Sequence, residues 1–97
     1  MTAISPAVGS DPAAEIDSAD AIPTLRAQID AMDEAIVRLI AERARLSGRI
    51  QRARLNAGGA RVELGRERVI LAAYRDALGP DGAHLADAVL QVCRGTR

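Results

Sequence analysis

Six charged residues are spaced so that they could do chemistry together: Arg26, Arg43, Arg54, Glu63, Arg66 and Glu67. In the stretch IVRLIAERARLSGRIQRARL, residues 36 to 55, Ile36, Leu39, Leu46 and Ile50 keep an apolar stripe, and Arg43 falls in the middle of it. A cation in a buried seam costs free energy unless an anion meets it. Arg54 follows 11 residues later on nearly the same azimuth, about three helical turns or about 16 Å along the axis. Two extended guanidinium groups can lean together across that gap and grip a small dianion. Arg26 lies 17 residues before Arg43, about 25 Å away and about 100° off that face, so within one chain it cannot reach the same small ligand. Glu63 and Glu67 are four apart, and both carboxylates point to one side if a helix begins by Glu63, with Arg66 beside them. Several arginine forks and two acceptors suit a small molecule with two carboxylates and a hydroxyl.

The elements that must carry these groups follow from the apolar period. From Leu25 the apolar or small positions run 25, 29, 32, 36, 39, then Arg43, then 46, 50, 53 and 57. Steps of four and three alternate throughout, the period of a helix that packs along its whole length. Pro23 suits the first turn, and Gly58-Gly59 is a plausible stop. A helix of about 35 residues is about 50 Å long, whereas a compact domain of this size has a radius of gyration of only about 12 Å. The helix must therefore project beyond its own fold, and its stripe needs a cover that two short helices cannot give. A second copy of the same helix, antiparallel in a two-fold dimer, is the economical cover. It would also bring the partner's Arg26 back to the Arg43 site, so the geometry predicts a shared site.

A second helix is expected over Leu64 to Leu78, with Ile70, Ala73, Tyr74, Ala77 and Leu78 on one face, ended by Gly79-Pro80. Asp81 is expected to cap a third helix, with Leu85, Ala88, Val89, Val92 and Cys93 inward and Gly95 at its end. No stretch has the alternation of a strand. The expected fold class is all-α, a three-helix chain with a long first helix forming an intertwined antiparallel two-fold dimer.

Composition bounds the possibilities. The chain has 97 residues, room for one small domain. Its first 20 residues hold four of the 13 acids and none of the 13 basic residues, and they read as a disordered leader before a domain at 21–97. The body is left with about four positive charges in excess, all its cations being arginine. Tyr74 is the only aromatic residue, so the core is Leu, Ile, Val and Ala, and a lone monomer of this size is marginal. Cys93 is the only cysteine, which excludes a disulfide framework and a zinc set of cysteines; no metal is expected. The N-terminus lacks the pattern of a secretory signal, and no apolar run approaches the roughly 18 residues of a membrane span. The expected location is the cytoplasm, without membrane contact.

The sequences TLRAQID, LIAERARLSGRIQRARL and GRERV together resemble the small all-helical chorismate mutases over residues 22 to 97. The short GGxR loop and the closing LGPDG and CRG resemble most the minimal mutases of actinobacteria. The resemblance implies a dimer of three-helix chains that converts chorismate to prephenate without a cofactor, in phenylalanine and tyrosine biosynthesis. It implies that Arg26 of one chain and Arg43 of the other hold the two substrate carboxylates. Arg54 would donate to a carboxylate and to the ether oxygen. Glu67 would accept from the ring hydroxyl or contact the ether side through its own partners. Glu63 stands where some members have Asp and others an apolar residue, and Arg66 would touch substrate or hold Glu67.

Bifunctional members carry a longer third helix that brings a Ser and a Gln into the site, positions that this sequence does not reach before Arg97. The actinobacterial mutases share that shortening and are activated by the first enzyme of the shikimate pathway, 3-deoxy-D-arabino-heptulosonate 7-phosphate synthase (DAHP synthase). That enzyme is the partner the resemblance implies, although the tail RGTR is shorter than the tails of mutases so activated. The chemistry suits the residues. A Claisen rearrangement needs no nucleophile and no proton transfer, only a compact substrate shape and positive charge where the breaking C–O bond leaves negative charge.

Other readings compete. Arg38, Arg45, Arg49 and Arg52 fit the solvated face of a structural coiled coil. His84 reads as a surface or capping residue, Cys93 as core and Tyr74 as packing. Acids alternate with the basic residues and no stacking aromatics accompany them, which argues against nucleic acid. A noncatalytic helical dimer or regulatory subunit is a second class of function. Within the enzyme class, 4-amino-4-deoxychorismate mutases and isochorismate-pyruvate lyases use the same scaffold, and Glu63 and Glu67 could serve an amino substrate.

Overall fold

The computed structural model describes residues 18–59 and 63–95. The expected leader lies outside the described residues as far as residue 17, as do residues 60–62 of the glycine loop and the last two residues of the tail. The described residues form a short 3₁₀ turn, Ala19–Ala21, and three helices, α1 (Ile22–Asn56), α2 (Leu64–Leu78) and α3 (Pro80–Arg94), with no strand among them. The chain divides into two units, Met1–Glu34 and Ala35–Arg97. The described part of the first holds the 3₁₀ turn and the start of α1. The second holds the rest of α1 with α2 and α3.

Local sequence explains each boundary. Pro23 occupies the first turn of α1, where its missing N–H breaks no helical bond. At the other end Gly58 takes φ 84°, and the amides of Gly58 and Gly59 donate to the carbonyls of Leu55 and Arg54 at 2.9 and 2.7 Å. These bonds satisfy carbonyls that the end of the helix would leave open. Glu63 is extended, with φ −114° and ψ 99°, and precedes the first residue of α2.

The turn between α2 and α3 departs from expectation. Asp81 does not cap α3: the cap position belongs to Gly79 (φ 87°), and Pro80 opens the helix. The glycine reverses the chain in a conformation that a side chain would resist, and proline brings a φ already suited to the first turn. Asp81 instead sits in that first turn, favourable beside the positive helix end, with His84 at 3.7 Å. His84 is on the surface, as expected.

The inward face of α3 is also rotated from the expected one. Gly82, Ala86, Val89, Leu90 and Cys93 are buried, whereas Leu85, Ala88 and Val92 are exposed. Gly82 gives the reason. A Cβ there would stand 2.2 Å from the carbonyl oxygen of Tyr74, so backbone lies on backbone, and α3 turns the stripe that continues from Gly82 toward α2. On α2 the half-buried residues are Glu67, Ile70, Leu71, Ala72 and Tyr74, while Ala73, Ala77 and Leu78, expected on the packed face, are exposed.

The core of the single chain is thin. Among the described residues the buried apolar side chains are Ala86, Val89, Leu90 and Cys93, all on α3, and no large side chain is fully enclosed. The stripe of α1 is uncovered. Leu25, Ile29, Met32, Ile36, Leu39, Leu46 and Ile50 run from 37% exposed at Leu25 to 64% at Leu39. Arg43 is half-buried within that sequence of exposed apolar residues.

Candidate active site

A cavity of about 320 Å³ opens in the unit of residues 35–97, where three elements meet. The C-terminal half of α1 contributes Arg43, Leu46, Ser47, Ile50, Gln51 and Arg54. These fall on one face because steps of three and four residues keep nearly the same azimuth. Glu63 and the first turns of α2 contribute Arg66, Glu67 and Ile70, and the end of α3 contributes Leu90, Cys93 and Arg94. The volume is at the small end of the range for small-molecule sites.

Four arginines and two glutamates line the space, an excess of about two positive charges that favours a dianion. Arg54 Nε lies 3.9 Å from Glu63 Oε2, a loose ion pair at the cavity wall. Arg94 Nη2 donates to Glu67 Oε1 at 2.5 Å, with both side chains largely covered. Arg43 Nη1 donates to the sulfur of Cys93 at 3.0 Å. The apolar side chains on the wall are Leu46, Ile50, Ile70 and Leu90, of which Leu90 is buried while Leu46 and Ile50 are exposed in the single chain.

Of the six residues singled out from the sequence, five surround this cavity: Arg43, Arg54, Glu63, Arg66 and Glu67. Arg26 belongs to the other unit, where it is exposed on the first turns of α1. The carboxylate of Glu67 is held by Arg94 rather than by its neighbour Arg66. Arg94 was not among the expected site residues. In the last turn of a helix an arginine reads simply as a favourable partner of the helix dipole; its spacing of four from the buried Leu90 was the available signal. Ser47 and Gln51 were also missed, though each follows Arg43 at helical steps of four. Cys93 is buried, as expected of a core residue, and it lines the cavity as well.

No group of acidic, histidine or cysteine side chains that could hold a metal occurs among the described residues. The chemistry available is electrostatic: fixed guanidinium groups, two carboxylate acceptors and an apolar wall. Such an arrangement binds a compact polyanion and stabilises charge that shifts within it.

The fold and cavity therefore define a small helical protein with a cavity lined by four arginines and two glutamates. Residues 25–94 match the family described as chorismate mutase type II, and the chain belongs to that family. An intracellular chorismate mutase of Mycolicibacterium smegmatis is 40% identical over 80 residues, covering 82% of this chain and 77% of the relative. Those of Mycobacterium bovis and Mycobacterium tuberculosis are 41% identical over 86 residues, covering 89% of this chain and 75% of each relative. Among solved structures, a chain from the non-covalent complex of DAHP synthase and chorismate mutase of Corynebacterium glutamicum, with a bound transition-state analogue, superposes with a TM-score of 0.74. It is 30% identical, over 78% of this chain and 92% of that one.

Proposed function

We propose that this chain is a chorismate mutase that rearranges chorismate to prephenate by holding the substrate compact and stabilising charge as the C–O bond breaks. The convergence of Arg43, Arg54, Arg66 and Arg94 from three helices on one cavity carries this reading, together with membership of the family. Arg43 takes one substrate carboxylate. Arg54 donates to the second carboxylate and to the ether oxygen, where negative charge grows in the transition state. Glu67, fixed by Arg94, accepts from the ring hydroxyl or acts on the ether side through that arginine. Glu63 and Arg66 complete the binding wall. Proton transfer has no part in the reaction, so these groups serve by position and charge, without a cofactor.

The functional unit in this proposal is an antiparallel two-fold dimer. The uncovered stripe of α1 supports it, because an apolar face of that length does not remain in water in a stable small protein. In the dimer, Arg26 of a second copy reaches the cavity and holds the remaining carboxylate edge. DAHP synthase is the proposed activating partner, supported by the complex formed by the Corynebacterium glutamicum mutase. The protein works in the cytoplasm in this reading; the relatives are named intracellular, and no described helix is long and apolar enough to cross a membrane.

The test is prephenate formation from chorismate by the purified chain, with and without DAHP synthase from the same organism. Turnover that rises when the synthase is added is the expected result. A folded protein that leaves chorismate unchanged in both conditions would refute the proposal. Parallel assay of 4-amino-4-deoxychorismate would then show whether the same site serves the amino substrate.

A further inference from the structure

We infer that Cys93 is a positioning residue for Arg43. The sulfur of Cys93, 5% exposed in the last turn of α3, accepts a hydrogen bond from Nη1 of Arg43 at 3.0 Å. Both residues line the cavity, and the contact links α1 to the buried stripe of α3. Its role in catalysis rests on the mutase reading above; the positioning itself does not.

The chemistry of the acceptor matters. Arg54 and Arg94 each face a carboxylate, at 3.9 and 2.5 Å, whereas no ion pair of Arg43 occurs among the described residues. A carboxylate partner would fix Arg43 but would compete with an incoming substrate carboxylate for the same charge. Sulfur is a weak acceptor. It can occupy one N–H of the five-donor guanidinium and hold the side chain in a narrow range of rotamers, while leaving most of its charge for a ligand. The arginine would otherwise lose rotamer freedom on binding, which lowers affinity. Cys93 itself is held by the packing of α3 on α2, so its sulfur is a fixed point for a long and otherwise mobile side chain.

The experiment uses the full chain and four single variants, C93A, C93V, C93S and R43A, together with C93A in the R43A background. Nitrogen-15 NMR of the arginine Nε–H groups reads the order of the Arg43 side chain with no substrate present. Arg43 is expected to be ordered in the wild type and in C93S, which keeps an acceptor, and mobile in C93A and C93V, which lack one. C93V fills the site should the cavity in C93A impair folding. On chorismate, C93A should lose roughly fivefold in kcat/KM, mainly through KM, with C93S within about twofold of the wild type. In the R43A background, where turnover is nearly lost, the cycle is read by urea unfolding, and C93A should cost less stability there than in the wild type. Unchanged Arg43 order in both acceptorless variants, or a C93S variant as impaired as C93A, would overturn the inference. An inactive wild type would count against the mutase reading alone, since the order measurement needs no turnover.

Discussion

Arg94 and Glu67 tie the last turn of α3 to the first turn of α2, Nη2 of the arginine donating to Oε1 of the glutamate at 2.5 Å. The pair is charge-assisted and mostly covered, so it is stronger than a surface ion pair. Arg94→Ala is expected to cost about 1 to 2 kcal/mol of stability. It should also lower kcat/KM by about tenfold, because the Glu67 carboxylate loses its anchor at the cavity. A double-mutant cycle with Glu67→Gln, read by urea unfolding and by turnover, measures the coupling. Additive effects would show that the contact has no energetic weight.

Arg54 is expected to carry the largest single share of catalysis. Removing one donor aimed at developing charge costs about 3 kcal/mol of barrier, so Arg54→Ala should lower kcat on the order of a hundredfold or more. Its backbone environment makes a second variant informative. A Cβ at Gly59 would lie 2.6 Å from Arg54 Cγ and 3.3 Å from its carbonyl oxygen. Gly59→Ala should therefore displace the Arg54 side chain and reduce kcat with little loss of helix content by circular dichroism. Full activity in Arg54→Ala would remove Arg54 from the mechanism, and full activity in Gly59→Ala would mean that the Arg54 side chain accommodates the methyl group.

The close approach of α3 to α2 predicts a structural defect instead. Gly82→Ala would place a methyl group 2.2 Å from the Tyr74 carbonyl oxygen and 2.7 Å from its carbon. Backbone atoms cannot move aside as a side-chain tip can, so a loss of about 3 kcal/mol is expected in thermal or urea unfolding. A variant as stable as the wild type would mean that the two helices do not meet so closely at this turn.

These contacts mark the boundary of what could be read from the sequence. The three helices were legible because apolar period, Pro23, Gly58, Gly79 and Gly95 all act within a few residues along the chain. Five charged residues of the cavity were legible for a related reason: Arg43 broke the stripe it sat in, and the remaining four stood at helical or near-helical steps. The face that α3 buries was not legible. Leu85 and Val92 are better hydrophobes than Gly82 and Ala86, and only the meeting of two backbones selects the smaller pair. Asp81 looked like a cap because the sequence does not show that Gly79 has already taken that position. Arg94 was missed because its partner, Glu67, is 27 residues away in sequence.

The uncovered stripe of α1 predicts an association that charge would prevent. Ile36→Glu or Leu39→Glu lies in the stripe, and neither residue lines the cavity. Either variant should sediment as a monomer at concentrations where the wild type sediments as a dimer, and it should lose most activity. Dimers of full activity in both variants would place the interface elsewhere.

In the proposed dimer each mutase site is built from two copies of the chain, with Arg43 from one and Arg26 from the other. Complementation between two inactive variants separates a shared site from one held within a single chain. Arg26→Ala and Arg43→Ala should each be nearly inactive on chorismate as homodimers. After mixing in equal amounts and exchange of subunits, half of the dimers are mixed, and each mixed dimer carries one intact site. Activity should then return to about a quarter of the wild-type value. No recovery in a mixture shown to have exchanged, or an Arg26→Ala variant as active as the wild type, would contradict the shared site.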